Sequence, residues 1–211
     1  MERLIDKVLS IKETVKVIKG IKSSRIQAMC AFLYLYGMRI SELLGGTSKL
    51  KNGKDVMIRP IRKYQVKPSR INEHPVLVCE SIYCEKRGSE MYRTLAIRSD
   101  LYPEKELVPI VIDWCDTLNN DISPLFPSAK QPSMSRQHAH YLMKKHVGKS
   151  YHPHFWRHCR ATHLTNKYNF KEYKLRYWFG WSKRSDMPSN YTHLDWKDMV
   201  AEINNSSFNQ A

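Results

Sequence analysis

Apolar residues recur along the chain with two different periods, which predict several helices and one stretch of strands. Residues 1–19 carry apolar side chains at the spacing of an amphipathic helix. A second helix is predicted over 25–37, where Ser23 or Ser24 can cap its start and Gly37 ends or bends it. A short helical turn that includes Ser41 and Glu42 is expected directly after it.

The middle of the chain changes to a strand-like pattern. Residues 55–97 are rich in β-branched and aromatic side chains, and the arms 76–84 and 91–97 flank a turn marked by Gly88. Helical spacing returns afterwards and predicts helices over 106–118, over 135–148, after His154, over 171–179 and over 191–203. The predicted fold class is α+β, mostly α-helical with a small three-stranded antiparallel sheet.

The composition is that of a soluble globular protein with a strong excess of positive charge. Apolar residues make up 42 % and charged residues 26 % of the 211 residues, and the net charge is +15. Between Tyr141 and Tyr191, 11 lysines and arginines stand against only Glu172 and Asp186. This excess favours a polyanion such as nucleic acid as the partner, although a basic ribosome-associated or membrane-surface protein would have a similar composition.

The cysteines and the apolar stretches bear on the compartment. Five scattered cysteines without a C-x-x-C pair do not make a disulfide framework, so a reducing interior is expected. The N-terminus is charged and lacks the apolar region of a signal peptide. The longest apolar stretch, AMCAFLYLYGM, is too short to span a membrane. We therefore expect a cytoplasmic protein.

The segment YHPHFWRHCRATHL, residues 151–164, is unusually dense in histidine and arginine. His154 and His158 could share a helix face, but a zinc peptidase motif needs Glu where Phe155 stands, and no carboxylate or cysteine pair lies at ligand spacing. A phosphate fits better, because a guanidinium can bind two phosphate oxygens and histidine can move a proton. Arg157 lies three residues after His154, on the same helix face.

Three segments resemble the conserved boxes of the tyrosine site-specific recombinases, the lambda-integrase family. YLYGMRISELL (34–44) resembles the first box, HFWRHCRATHL (154–164) the second and FGWSKRSDMPSNYTH (179–193) the third. The form of the third box is most similar to that of integrases of archaea and their viruses and plasmids. The three boxes occur in the family's order and extend over nearly the whole chain, from about residue 25 to 195.

The resemblance implies a tyrosine recombinase catalytic fold and a role for each matching residue. Tyr191 would be the nucleophile that forms a 3′-phosphotyrosyl link, and Arg39 and Arg157 would hold the non-bridging phosphate oxygens. His154 would accept a proton or bind the phosphate. Trp181, where most members carry His, could donate a hydrogen bond but not move a proton. The hairpin lysine that protonates the leaving oxygen would be Lys86, with Arg87 or another lysine as the alternative.

The resemblance also implies an architecture and partners. Residues 1–211 would form a single catalytic domain, with an N-terminal helix in 1–24, the core in 25–195 and a tail in 196–211. The family's N-terminal core-binding domain would be absent, so the chain is either a catalytic fragment or depends on something else to hold DNA. The expected partner is double-stranded DNA carrying an attachment site, bound by a homotetramer that is a monomer or dimer when free. Neither metal nor ATP would be required.

Three other functions share much of this pattern. A chromosome-dimer-resolving recombinase has all three boxes and differs only in its target site. A type IB topoisomerase uses the same tyrosine chemistry but relaxes DNA as a monomer. A DNA-binding module could keep the fold without catalysis. Because all the key residue types are present, a recombinase of the integrase type is the main prediction.

Overall fold

The computed structural model of the chain describes residues 8–49, 53, 55–84, 92–182 and 186–190. Helices and strands follow one another in three groups, with the sheets between the first and the second set of helices. In chain order the elements are α1 (Ile11–Lys19), α2 (Ser24–Tyr36), α3 (Ile40–Leu44), β1 (Gly46–Lys49), β2 (Asp55–Ile58), β3 (Val66–Ile71), β4 (His74–Tyr83), β5 (Tyr92–Arg98), α4 (Glu104–Asp116), α5 (Arg136–His146), α6 (Pro153–Asn166) and α7 (Glu172–Phe179).

Helix α2 lies at the centre of the hydrophobic core. Every side chain from Ala28 to Tyr36 is buried, so the helix is apolar on all its faces. Helices α1, α4, α5 and α6 and strand β5 all contact it. Because the first conserved box begins at the end of this helix, the core fixes where that box starts.

Two antiparallel sheets lie beside the helices. The larger has the order β3–β4–β5, with Leu77 of β4 opposite Ile97 of β5. It confirms the predicted three-stranded sheet and both arms of the hairpin over 76–97, while the turn at 85–91 is outside the described residues. The smaller sheet pairs β1 with β2. The pattern analysis did not predict this pair, because the four residues of β1 are polar or glycine and lie at the surface.

Strand β3 was also not identified from the pattern. All its residues after Val66 are exposed, and it contains Pro68, which no interior strand would tolerate. It pairs with β4 on one side only, and such an edge strand can accept both features. Its sequence therefore has neither the alternation nor the apolar content by which strands are predicted.

Of the N-terminal helix predicted over 1–19, residues 11–19 are confirmed as α1, whereas the prediction is wrong for residues 8–10, which are not helical. Ser10 caps the N-terminus of α1 through two reciprocal hydrogen bonds. Its hydroxyl accepts from the backbone N–H of Glu13 at 3.2 Å, and its own backbone N–H donates to the Glu13 carboxylate at 2.8 Å. Residues 1–7 lie outside the described part, as does the helix predicted over 191–203. The other predicted helices are confirmed as α2, α4, α5, α6 and α7. No helix in the described ranges is long and apolar enough to cross a membrane.

Gly37 ends α2 in the left-handed conformation, with φ of 60°. A Cβ at this position would lie 2.3 Å from Cε1 of Phe179, at the end of α7. Two constraints therefore require glycine here, one from the backbone and one from the ring packed against it. This contact brings the end of α7 against the start of the first box.

We predict that Gly37→Ala destabilises the protein more than Gly53→Ala does. Both positions have positive φ, but a Cβ on Gly53 meets nothing within 4 Å. The backbone strain of about 1–2 kcal/mol applies to both variants, whereas overpacking adds about 1–3 kcal/mol only at Gly37. Urea unfolding of the two variants measures the difference, and equal losses would contradict the contact with Phe179.

Candidate functional site

The site begins at the short helix α3, where one carboxylate both caps the helix and binds a guanidinium. Glu42 accepts a hydrogen bond from the backbone N–H of Arg39, the residue directly before the helix, at 3.0 Å. Oε1 of Glu42 also lies 2.8 Å from Nη1 of the Arg39 side chain. Glu42 has no exposed surface and Arg39 is 8 % exposed. Glu42 therefore orients both the backbone and the side chain of Arg39.

Two more arginines from distant parts of the chain converge on the same carboxylate. Arg93 of β5 donates from Nη2 to Oε2 of Glu42 at 2.8 Å, and Nη1 of Arg157 on α6 lies 3.9 Å from that oxygen. All these side chains are buried. The sheet, α3 and α6 thus meet at one ion-pair cluster, defined here as Arg39, Glu42, Arg93 and Arg157.

Arg157 is held by two helix ends as well as by the cluster. It donates to the carbonyl oxygen of Gly37 at the end of α2, at 2.5 Å, and to that of Phe179 at the end of α7, at 2.8 Å. The carbonyls at helix C-termini lack partners within the helix and favour a cation. The guanidinium also lies over the rings of Phe179 and Trp181, at 4.8 and 5.7 Å from their centroids. Its orientation is therefore fixed by backbone and rings together.

His154 occupies the exposed side of the cluster. It lies in the first turn of α6, which His152 caps by accepting the N–H of Phe155 at 3.2 Å and which Pro153 begins. The residue is exposed, although its ring lies beside that of His158, 6.2 Å away between centroids. Partial desolvation, followed by the positive charges of Arg157 and other neighbours, lowers the pKa of His154 to about 4. Its imidazole is therefore neutral at pH 7 and is a weak base in the absence of a bound anion.

The ionisation of Glu42 is set by two opposing effects. Burial would raise the pKa of its carboxyl group, but the charges of Arg93, Arg157 and Arg39 outweigh burial and lower the pKa to about 2. The carboxylate is thus charged at all physiological pH values. With three positive charges and one negative charge, the cluster keeps an excess of positive charge for an anion.

Four of the six predicted site residues lie in the described part of the chain, and the fold brings them together. Arg39 and Arg157 belong to the cluster, and His154 lies near enough to both for their charges to lower its pKa. Trp181 stacks on Phe179 at 4.7 Å between ring centroids. Trp181 is only 3 % exposed, so its clearest role in the structure is to pack against the guanidinium of Arg157. Its hydrogen bond to a phosphate stays a prediction. Lys86 and Tyr191 lie outside the described residues.

Arg93 is the member of the cluster that the sequence analysis missed. A signal for it exists in the segment YRTLAIR, because Arg93 is in phase with Leu95 and Ile97, and all three are buried. An arginine at an inward position of a strand must have a partner, since an unpaired buried charge is costly. The sequence analysis identified the strand from its β-branched and aromatic content but did not identify the inward position of its arginine.

Other candidates in the described residues have structural roles. The imidazole of His163 hydrogen-bonds to the hydroxyl of Tyr34 and the carbonyl of Leu9, each at 2.9 Å, and so connects α6 to α2 and to the segment before α1. All five cysteines are buried and free of disulfides. No group of three or more histidine, cysteine or carboxylate side chains in the described ranges could hold a metal ion.

The arrangement is suited to binding one phosphodiester. It offers fixed guanidiniums from two separate segments, a neutral imidazole at the surface and a charge excess on one side of the core. Fixed donors of this kind stabilise negative charge that develops in a transition state.

We predict that Glu42→Gln destabilises the folded chain by about 3–5 kcal/mol at pH 7, because it leaves three buried guanidiniums without their counter-charge. Since the folded-state pKa of Glu42 lies below the ordinary value of 4.5, its contribution is full above pH 4.5 and is lost as the pH falls towards 2. The difference between wild type and variant in urea unfolding should narrow over that range. Glu80→Gln, which removes an exposed carboxylate paired with Lys67, should stay close to wild type at every pH. A difference that is independent of pH would contradict the ionised state of Glu42.

Comparison with solved structures finds the same fold. The XerA recombinase structure aligns with a TM-score of 0.55 and 16 % identity, over 92 % of this chain and 62 % of that chain. The Tn1549 transposon integrase in complex with circular intermediate DNA aligns with a TM-score of 0.53 and 18 % identity, over 91 % and 62 % of the two chains. The present chain therefore spans about three fifths of the length of these structures.

Comparison of sequences gives a family but no individual relative. Among proteins of curated function, none matches the chain. The model of the Phage integrase family matches residues 5–197, which contain all three conserved boxes and every member of the ion-pair cluster. By this match over most of its length, the chain belongs to the Phage integrase family.

Proposed function

We propose that the chain is the catalytic domain of a site-specific DNA recombinase that cuts and rejoins DNA through a 3′-phosphotyrosyl intermediate. One observation carries the proposal: Arg39 and Arg157, from two boxes more than a hundred residues apart, share the carboxylate of Glu42 and lie beside the neutral imidazole of His154. The third box continues from this place towards Tyr191. The family to which the chain belongs supports the same activity.

In the proposed reaction, the hydroxyl oxygen of Tyr191 attacks the scissile phosphorus. A bond forms between that oxygen and phosphorus, and the bond from phosphorus to the 5′ oxygen of the next nucleotide breaks. Arg39 and Arg157 bind the non-bridging oxygens, whose negative charge increases in the transition state. The products are a tyrosine-linked 3′ phosphate and a free 5′ hydroxyl, and attack by another 5′ hydroxyl reverses the step on a new strand.

The proton transfers use groups with different pKa values. A free tyrosine has a pKa of about 10, so Tyr191 must pass its proton to an acceptor. His154 would accept this proton or bind the phosphate. Lys86 would give a proton to the departing 5′ oxygen. Trp181 would keep Arg157 in place and donate to a phosphate oxygen. Because the phosphotyrosyl bond keeps the energy of the broken phosphodiester, rejoining needs no nucleotide.

The exposed basic residues near the second and third boxes would contact the DNA backbone. Three lysines lie in or just after the last turn of α5, and two lie at the start of α7: Lys144, Lys145, Lys149, Lys171 and Lys174. All are exposed, as a surface that binds phosphates requires. By analogy with the Tn1549 integrase, which was solved on circular intermediate DNA, we propose that the partner is double-stranded DNA carrying an attachment site. The homotetramer on DNA is what the resemblance of the three boxes implies.

The role in the cell follows from this activity. We propose that the protein serves integration of a mobile element, in keeping with the similarity of its third box to integrases of archaea and their viruses and plasmids. It would act on DNA in the cytoplasm of the host.

We predict a covalent protein–DNA adduct that depends on Tyr191. The chain is incubated without metal or ATP with a pool of nicked duplexes of random sequence, and protein-linked DNA is isolated under denaturing conditions and sequenced. Tyr191→Phe should give no adduct, and Arg157→Ala should slow its formation about 10²- to 10³-fold. Tyr64→Phe, which alters another tyrosine that is 49 % exposed, should behave like wild type.

The outcomes separate the candidate functions. An adduct enriched in one sequence supports the recombinase, whereas relaxation of supercoiled plasmid without sequence preference indicates topoisomerase activity. If the protein binds the nicked duplexes but forms an adduct with none of their sequences, catalysis by this chain is contradicted. An adduct that persists in Tyr191→Phe would contradict the proposed nucleophile.

A further inference from the structure

Arg93 is buried in the sheet at a place where an apolar residue would be expected. It is 3 % exposed and points to the same side of β5 as Leu95 and Ile97. Keeping a guanidinium there is unfavourable unless its donors are bound by a charged partner. Its position calls for a role beyond filling the core.

The contacts of Arg93 connect three segments that the proposed reaction uses. Nη2 lies 2.8 Å from Oε2 of Glu42 and Nη1 lies 3.4 Å from Oε1, so the guanidinium faces both carboxylate oxygens. Nη1 also lies 3.3 Å from Sγ of Cys84, at the end of the hairpin arm. A Cβ on Gly180, in the third box, would lie 2.7 Å from Nη1. The side chain therefore touches the first box, the hairpin and the third box.

The geometry of Glu42 shows what Arg93 does for Arg39. One carboxylate oxygen, Oε1, binds the guanidinium of Arg39, and the other, Oε2, binds Arg93 and the backbone N–H of Arg39. The two contacts from Arg39 belong to the residue that has to be positioned, so they cannot fix the carboxylate relative to the rest of the fold. Arg93 faces both oxygens from β5, at 2.8 and 3.4 Å, and ties the carboxylate to the sheet. Without Arg93, the carboxylate and the Arg39 side chain would lose this anchor to the sheet.

Arg93 also changes the charge that remains for a ligand. Glu42 carries one negative charge, and Arg93 is the most buried of the guanidiniums that bind it. Because Arg93 offsets part of this charge from the sheet, Glu42 offsets less of the positive charge of Arg39 and Arg157.

We propose that Arg93 is a positioning residue, which holds the Glu42 carboxylate so that Arg39 presents its guanidinium to the scissile phosphate. The proposal rests on the proposed function, since it assigns Arg93 a part in DNA cleavage. Arg93 itself does not touch the DNA. Its effect on the reaction passes through Glu42 and Arg39.

Arg160 provides a matched control. It is 2 % exposed and binds the buried carboxylate of Glu104, at 2.8 Å, so it is the same kind of buried ion pair. It joins α6 to α4 and has no contact with Glu42 among those described. Loss of either pair should destabilise the fold similarly, but only loss of the Arg93 pair should disturb Arg39.

The test uses Arg93→Lys and Arg160→Lys in the full chain, which keep the positive charge but not the planar fork. The rate of adduct formation is measured on the DNA sequence selected above, first with the normal phosphate and then with a methylphosphonate at the cut. The methylphosphonate is uncharged, so its reaction depends less on Arg39. DNA affinity is measured by gel shift and stability by urea unfolding. The Arg39→Ala variant serves as the reference for loss of the contact between Arg39 and the phosphate.

We expect Arg93→Lys to slow the reaction of phosphate DNA about 100-fold, the effect of misplacing a group by about 1 Å, with DNA affinity unchanged. The loss on methylphosphonate DNA should be several times smaller, as for Arg39→Ala. Adding Arg93→Lys to Arg39→Ala should have little further effect, because both act at one point. Arg160→Lys should change the rates of adduct formation on phosphate and methylphosphonate DNA by the same factor. In the double variant, its effect on the rate should add fully to that of Arg39→Ala.

Two results would overturn the proposal while leaving the proposed function standing. One is an Arg93→Lys variant with the wild-type rate. The other is a variant that loses the same factor on both DNAs and adds fully to Arg39→Ala, as a core residue would. If the wild-type chain forms no adduct on any DNA, the proposed function fails, and the assignment of Arg93 fails with it.

Discussion

The buried carboxylate of Glu42 is the interaction on which the arrangement of this molecule depends. A negative charge without water is unstable unless cations surround it, and here the cations come from three different elements. The helix α3, the sheet and α6 therefore cannot be placed independently. The requirement that stabilises the core also sets the distance between the arginines of the first and second boxes.

The same cluster explains why the site is electropositive before any ligand arrives. Guanidiniums this close to one another repel, and a single carboxylate offsets only part of that repulsion. Within these four residues the positive charge exceeds the negative charge, which supports the proposal that a phosphodiester binds beside them.

Predictions from the sequence were correct where the local pattern of residues matches the environment that the fold gives them. Helix α2 could be predicted because it is apolar on every face, and Arg39 and Arg157 could be named because their boxes are short continuous segments. Strand β3 could not be predicted, since an exposed edge strand needs no apolar alternation. Arg93 was missed because its role depends on a carboxylate 51 residues away, and the partner of a buried charge is determined by tertiary packing rather than by local pattern. The start of α1 depended on one serine whose cap outweighs the apolar spacing before it.

The two carbonyl contacts of Arg157 have a consequence for how the protein meets its ligand. A long arginine side chain normally loses considerable conformational entropy when it is fixed by a binding partner. Here the carbonyls of Gly37 and Phe179 and the ring of Phe179 already restrict it in the folded chain. That entropy is lost once, during folding, so the binding of a phosphate does not have to supply it. The ability of the site to bind a phosphate therefore depends on the contact between the ends of α2 and α7. If this contact loosened, the side chain of Arg157 would regain many conformations while the rest of the fold stayed intact.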